Sequence, residues 1–271
     1  FTQGEEQFWE GFLPQVSGKI EREFLRSAAR NAFVLSESDK LYKTLFNSIS
    51  HELRIPVATI MGASDSLLSS PHPGNVQSAL FSEIFTASLR LNRLIENLLN
   101  MSRLESGQIS VRLDWYDIND LVNKVAEDLK DELKPFLLLV SIPDDMPLVK
   151  IDFGLLEQAL YNLIFNSTQY APVASNIELC TRYDNGTLVI QVKDSGPGFP
   201  EKAIENAFKK FFRVDGSKTG GLGLGLSIVK GFVEAHKGSV TVENRKNGGA
   251  EFTLKIPTEN PDINDLQLEN E

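Results

Sequence analysis

The sequence predicts an α+β protein. An antiparallel helical hairpin dimerises into a four-helix bundle and is followed by an α/β sandwich, with helices packed on one face of a mixed sheet. Three observations predict this. Apolar residues alternate at spacings of four and three through residues 42–67, and again through 80–101. Beyond residue 109 the helical period gives way to apolar runs of strand length separated by turn signals. Helical segments fall between those runs, as a layered α/β domain requires.

Composition agrees. At 271 residues, with 41% apolar and 24% charged side chains, the chain has the length for about two domains and ample material for a core. A single cysteine, Cys180 in the strand-like "IELCTR", excludes a disulfide framework, favours a reducing compartment and reads as a buried strand residue. The net charge is −10, of which five acids lie in residues 258–271, "TENPDINDLQLENE". That sign argues against nucleic-acid binding through phosphate neutralisation. No stretch approaches the ~20 apolar residues of a membrane span, and no signal peptide opens the chain. The first residue is Phe1, which reads as the start of a piece of something longer.

Residues 1–35 are expected to form a lead-in helix or linker from an upstream region, with "KIEREFLRSAARNAFVL" as its helical part. In the hairpin, 36–108, the first seam is Tyr42, Phe46, Ile49, Leu53, Pro56, Ile60, Ala63 and Leu67. The second is Leu80, Ile84, Ala87, Leu91, Leu94, Leu98 and Met101. Sustained four-three spacing marks helices that pack lengthwise on one another. "SSPHPGN" between them stops one helix and turns the chain. Two helices bury too little alone, so a homodimer is the economical completion.

In the second domain, 109–257, "QISVRLDWYDI" reads as extended chain. "NDLVNKVAEDLKDELK" reads as an amphipathic helix with Asn119 as its cap. "FLLLVSIP" is a strand, and "DFGLLEQALYNLIFNSTQYA" is a helix ended by Pro172. "NIELCTRY", "TLVIQVKD", "SVTVENR" and "AEFTLKIP" are strands, with "NG" and "NGG" as turns. "LSIVKGFVEAHKG" is a helix closed by a glycine C-cap. The acidic tail, 258–271, has the composition of a disordered segment.

Within "FNSISHELRIPVATI", His51 is flanked by the seam residues Ile49 and Leu53 and so falls about 180° from the seam. It faces outward, with Glu52 on the flank and Ile55 one turn on, on the same exposed side. Zinc binding is a poor fit, because no second ligand stands at i+3 or i+4, and His72 and His236 have no ligand-like neighbours. An exposed neutral imidazole beside a carboxylate that fixes its tautomer is a competent nucleophile, although the pair alone is a weak signal.

A second constellation lies in the C-terminal half. "DSGPG" at 194–198 follows an apolar strand, and "GGLGLGL" at 220–226 leads into a helix. Glycines at that density let backbone approach a ligand, and amides at a helix start form an anion site. The spacing is neither a P-loop nor a dinucleotide fingerprint. Asn162 and Asn166, at i and i+4, share a face of an otherwise apolar helix, and Glu157 lies about 140° off that face. A hard cation held by amide oxygens, phosphates and water accounts for such a pair, and so do bonds to strand-end backbone.

Taken in order, "ISHELR", the Asn162/Asn166 pair, "DSGPG", "FKKFFRVDG" and "GLGLGLSIVK" resemble the H, N, G1, F and G2 boxes of two-component sensor histidine kinases. The resemblance covers about residues 36–257. It implies a dimerising hairpin followed by a Bergerat-type ATP-binding domain. It implies His51 as the phosphoacceptor for the γ-phosphate of ATP, with Glu52 as its orienting base. Asn166 would bind Mg²⁺, with Asn162 beside it and Tyr170 closing over the nucleotide. Asp194 would accept the adenine amino proton, and Gly196 and Gly198 would let the base approach. Gly221, Gly223 and Gly225 would cradle the phosphates at the start of the helix that continues with Leu226. Residues 199–222 would form a mobile lid in which Phe208, Phe211 and Phe212 pack and Arg213 meets the transferred phosphate. The implied partner is an aspartate on a response-regulator receiver domain, the implied setting cytoplasmic, with any membrane anchor upstream.

Two departures stand out. The family usually has Thr or Asn four residues after the phosphoacceptor, to position the water that dephosphorylates the partner. Here Ile55 stands, and an alkyl group cannot hydrogen-bond water, so weak phosphatase activity is expected. Where the nucleotide helix often has Lys, this chain has Gln169, with Lys218 as a candidate compensating cation. The competing readings are a catalytically silent dimeric adaptor with a nucleotide-binding domain, and an ATPase of the chaperone or DNA-repair kind. The latter lacks a phosphoacceptor helix ahead of the nucleotide domain.

Overall fold

A run of apolar residues at helical spacing needs a second surface to cover it, and the hairpin supplies one. The computed structural model describes residues 46–71, 73–214 and 221–259. The chain divides into two compact units, residues 1–51 and 52–271. In the first, the described residues 46–51 are helical. The expectations for residues 1–35, for Tyr42, His72 and Lys218, and for the tail from 260 fall outside the described residues.

Helix α1 covers residues 46–69 and helix α2 covers Gly74–Glu105. Pro73 precedes α2 with an extended ψ of 148°, so the turn prolines end one helix and set the start of the next. In the second unit Glu52 pairs with Arg90, and Thr59 lines a shallow groove with Ala79 and Ser82, so the two helices run antiparallel. Pro56 and Ala63 of α1 are buried, as are Ala87, Leu94 and Met101 of α2, all of them predicted seam positions. The other seam residues from Ile49 onward are half-buried, whereas Phe46 is exposed. Off the seam, Phe81, Phe85 and Leu89 of α2 form an exposed apolar stripe at four-residue spacing.

The rest of the second unit comprises β1 (Asp114–Tyr116), α3 (Ile118–Asp128), α4 (Lys130–Leu133), β2 (Leu137–Ser141), β3 (Val149–Ile151) and α5 (Phe153–Tyr170). It continues with β4 (Asn176–Asp184), β5 (Thr187–Lys193), α6 (Glu201–Ile204), α7 (Gly225–Ala235), β6 (Ser239–Asn244) and β7 (Ala250–Pro257). Five strands form a sheet in the order β2-β4-β5-β7-β6, parallel between β2 and β4 and antiparallel elsewhere. One face carries Ile177, Leu179, Ile190, Val192, Phe252 and Leu254 against Leu160, Leu163, Ile228 and Phe232 of α5 and α7. Each such side chain, fully buried, contributes about 1.5–3 kcal/mol relative to exposure.

The structure corrects several local expectations. The extended stretch after residue 108 is a strand only over β1, which pairs antiparallel with β3. β3 was not anticipated, because three residues are too few to display alternation. The predicted helix from Asn119 is two, α3 and α4, and its cap is Asp117. The Asp117 side chain accepts from the Asn119 backbone N–H at 2.7 Å, while Asn119 is already inside the helix. At the end of α7 the left-handed position is Lys237 (φ 60°), not a glycine. Gly238 has a different reason to lack a side chain: a Cβ there would lie 2.5 Å from the Lys255 carbonyl oxygen. Cys180 is half-buried, on the sheet face opposite the helices.

The C-terminal half of α2 packs on the sandwich. Arg93 pairs with Glu132 and lies over the ring of Phe165 at 4.6 Å and that of Tyr161 at 5.4 Å. Burial pushes the Tyr161 phenol up to about 12. Asn100, buried on α2, donates to Gln158 Oε1 at 2.8 Å, which meets the demand of a buried amide for a partner. No helix among the described residues is long and apolar enough to cross a membrane.

Candidate functional site

The helical period that buries Pro56 and Ala63 leaves His51 exposed on α1, with Ile55 one turn on and also exposed at 38%. Glu52 does not stand on the flank. It is 7% exposed, and its Oε2 accepts from Arg90 Nη2 at 3.0 Å. Pairing is what a carboxylate removed from water requires. Thr59, one turn beyond Ile55, bonds the Ile55 carbonyl oxygen at 3.1 Å, so its hydroxyl already has a partner.

In the second unit, β5 ends at Lys193, and the next residue, Asp194, is 4% exposed. Its Oδ1 accepts from the Gly196 backbone N–H at 2.8 Å and from that of Ala250 at 3.2 Å. Both bonds fall on one oxygen, leaving Oδ2 for an external donor. Burial raises the Asp194 carboxyl above its ordinary value, and the two amide bonds and the Arg245 charge oppose the rise. Gly196 packs against the end of α5: a Cβ would meet the Tyr170 carbonyl oxygen at 3.1 Å. Gly198 has φ 71°, and a Cβ there would lie 2.6 Å from Asn244 Oδ1.

The glycine loop passes over the aromatic segment. Gly223 has φ 68°, its carbonyl accepts from the Phe211 N–H at 2.9 Å, and a Cβ on it would sit 2.7 Å from the Phe212 carbonyl oxygen. Arg213 donates to the Gly221 carbonyl at 3.1 Å. Gly225 opens α7, followed by Leu226, so the first amides of an eleven-residue helix border the loop. Phe208 is half-buried, and Lys210 pairs with Glu105 at the end of α2 at 2.8 Å.

Asn162 and Asn166 are half-buried on α5, and neither side chain hydrogen-bonds another described residue. Asn162 Oδ1 lies 3.6 Å from where a Cβ on Gly225 would be, which brings the amide pair to the mouth of the glycine loop. Tyr170 and Gln169 are exposed at the end of the same helix. No cluster of three or more His, Cys, Asp or Glu among the described residues could hold a metal ion. A lone amide oxygen completed by phosphates and water is the donor set Mg²⁺ accepts, so Asn166 fits that role.

Three residues that sequence reasoning did not single out hold the Asp194 loop. Gly249 (φ 95°) lies so close to it that a Cβ would fall 2.0 Å from the Asp194 carbonyl oxygen. Arg245 Nη1 donates to that carbonyl at 3.1 Å while Nη2 reaches Glu178 Oε1 at 3.0 Å. Asn244 accepts from the Phe199 N–H and donates to the Phe199 carbonyl, both at 2.7 Å. The doubled glycine in "NGG" was a signal, since two consecutive glycines allow both a turn and a close approach.

Two family models match the chain. The His Kinase A phospho-acceptor domain matches residues 42–107, and the "Histidine kinase-, DNA gyrase B-, and HSP90-like ATPase" matches 151–260. Among curated proteins, the sensor protein KdpD of Clostridium acetobutylicum is 33% identical over 251 residues, covering 90% of this chain and 28% of that protein. The chain thus spans well under a third of that relative. Full-length ShkA in complex with AMPPNP aligns with TM-score 0.60 and 26% identity, over 81% of this chain and 46% of that one. The Acinetobacter baumannii histidine kinase AdeS aligns with TM-score 0.58 and 24% identity, over 78% of this chain and 98% of that one, and shares the fold.

Proposed function

Since the chain belongs to the two-component sensor histidine kinases, we propose that it binds Mg-ATP in its α/β sandwich and phosphorylates itself on His51. Residues 36–108 then form the phosphoacceptor hairpin and 109–257 the ATP-binding domain. The observation that carries this reading is Asp194, a buried carboxylate with one oxygen tied to two backbone amides and the other open to a donor. The adenine amino group is such a donor, and the missing side chains at Gly196 and Gly198 let the loop pack against the end of α5 and against Asn244, which holds the carboxylate where the base would approach. The phosphates lie along Gly221, Gly223 and Gly225 at the positive start of α7.

Asn166, with Asn162 beside it, would hold Mg²⁺, and the ion would supply neutralisation of phosphate charge. The His51 imidazole nitrogen attacks the γ-phosphorus. An N–P bond forms, the bond to the β,γ-bridging oxygen breaks, and its electron pair leaves with ADP. Tyr170 closes over the nucleotide, and Arg213 exchanges its Gly221 carbonyl for the transferred phosphate. An aspartate of a response-regulator receiver domain then attacks the phosphohistidine, returning the N–P electron pair to the imidazole. The Phe81–Phe85–Leu89 stripe supports homodimerisation through the hairpin, because a surface of that kind is covered in a stable fold.

Incubation with γ-labelled ATP and Mg²⁺, comparing wild type with His51→Gln, tests the reading. Acid-labile label that the substitution abolishes is expected. Demonstrated ATP binding without label would instead favour the silent adaptor.

A further inference from the structure

The β6–β7 hairpin does more than close the sheet edge. Its turn holds both ends of the segment that runs from Asp194 to Phe199. The Ala250 carbonyl accepts from the Asp194 N–H at 3.0 Å, and the Ala250 N–H donates to the Asp194 carboxylate. Arg245 caps the Asp194 carbonyl, and Asn244 pairs with both backbone groups of Phe199, as a neighbouring strand would. Arg245 is itself held from both sides. Its backbone N–H donates to the Gly249 carbonyl at 2.9 Å, and its guanidinium bridges to Glu178 on β4.

We infer that Arg245, oriented by Glu178 and backed by the Asn244 clamp on Phe199, is a positioning residue that makes the Asp194 site select adenine over guanine nucleotides. The inference rests on the assignment of Asp194 as the base-reading group. Its chemistry is as follows. Adenine presents an amino donor where guanine presents a carbonyl oxygen. A carboxylate held in place and ionised accepts from the first and repels the second. A guanidinium bonded to the same residue's main chain fixes where that carboxylate stands, and its positive charge favours the ionised form against burial. Rigidity and charge both enter through one side chain. None of its contacts reaches the phosphate-binding glycines, so its influence falls on base recognition.

The test is nucleotide binding by the full chain, measured as Kd for ATP and for GTP by displacement of a fluorescent ATP analogue. The proteins are wild type, Arg245→Gln, Arg245→Lys, Glu178→Gln and Asp194→Asn, with KM and kcat for autophosphorylation alongside. Arg245→Gln is expected to weaken ATP about ten- to a hundredfold, the worth of one charge-assisted hydrogen bond. GTP affinity stays level, so the ATP/GTP preference narrows and KM rises more than kcat falls. Arg245→Lys restores part of the preference, and Glu178→Gln shifts it the same way by less. If Arg245→Gln does not fold, Glu178→Gln and Arg245→Lys carry the test alone. An unchanged ATP/GTP ratio in these variants, with Asp194→Asn binding ATP poorly, overturns the role of Arg245 and leaves the kinase reading standing. Undiminished ATP binding by Asp194→Asn overturns both.

Discussion

Leu104, in the last turn of α2, fills the space that any side chain at residue 231 of α7 would need: a Cβ on Gly231 would fall 2.4 Å from Leu104 Cδ2. Glycine in the middle of a helix is otherwise unfavourable, so its presence here reflects the close approach of α2. Gly231→Ala alone is expected to lower stability by crowding Leu104. In a Leu104→Ala background the same change is expected to raise stability by about 1 kcal/mol, the helix-propensity difference between Ala and Gly. Denaturant unfolding of the four proteins checks the reversal. The same sign in both backgrounds would mean that Leu104 simply swings aside.

Gly249→Ala combines a φ of 95° with a Cβ placed 2.0 Å from backbone oxygen, and that oxygen belongs to Asp194. The substitution is expected to cost about 3 kcal/mol from strain and overpacking, and to weaken ATP binding as Asp194 is displaced. Urea unfolding and an ATP titration read the two effects. Full stability in the variant would show that the hairpin turn relaxes freely.

Asp194 predicts a pH dependence with a definite sign. Its folded-state carboxyl sits above the ordinary value because of burial, so it binds its proton more tightly folded than unfolded. Its contribution to stability therefore improves as pH falls through the window between the two values. ATP affinity moves the other way, since the protonated carboxyl no longer accepts freely from the adenine amine. The ATP Kd, followed from about pH 8 down to about pH 5, is expected to worsen on acidification in wild type beyond any change seen in Asp194→Asn. That variant titrates the nucleotide's own phosphates but not residue 194. Parallel curves for the two proteins would remove Asp194 from base recognition.

Ile55→Thr places a hydroxyl at an exposed position four residues after His51 in the sequence, where the native side chain cannot hydrogen-bond water. Thr59 offers no substitute, because its hydroxyl bonds the Ile55 carbonyl. The variant is expected to dephosphorylate a phosphorylated receiver domain faster than wild type while autophosphorylation stays close to it. Equal dephosphorylation rates in the two proteins would sink the idea.

Much of this protein is legible because its signals repeat. The four-three seam spans several turns, so errors at single residues average out, and the buried apolar positions of α1 and α2 fall on it. β4 and β7 alternate over eight or more residues and were legible for the same reason, and β5 stands out as an apolar run of strand length. β3 has three residues and no room to alternate, so only its pairing with β1 defines it. The capping of α3 by Asp117 depends on which residue leaves helical geometry first, and both Asp117 and Asn119 suit the role chemically.

By itself the sequence determined the layered architecture and the outward direction of His51, and it marked the Asp194 and glycine segments as candidates for ligand binding. Each is encoded in spacing along one element or in a short contiguous motif. Only the tertiary structure decided that Glu52 turns to Arg90, that Arg245 joins Asp194 to Glu178, and that Gly231 lies under Leu104. A long charged side chain can reach many partners, and a glycine can serve a turn, a bend or a close approach. Which of these is realised depends on how distant elements meet, and periodicity within a single element carries no record of that meeting.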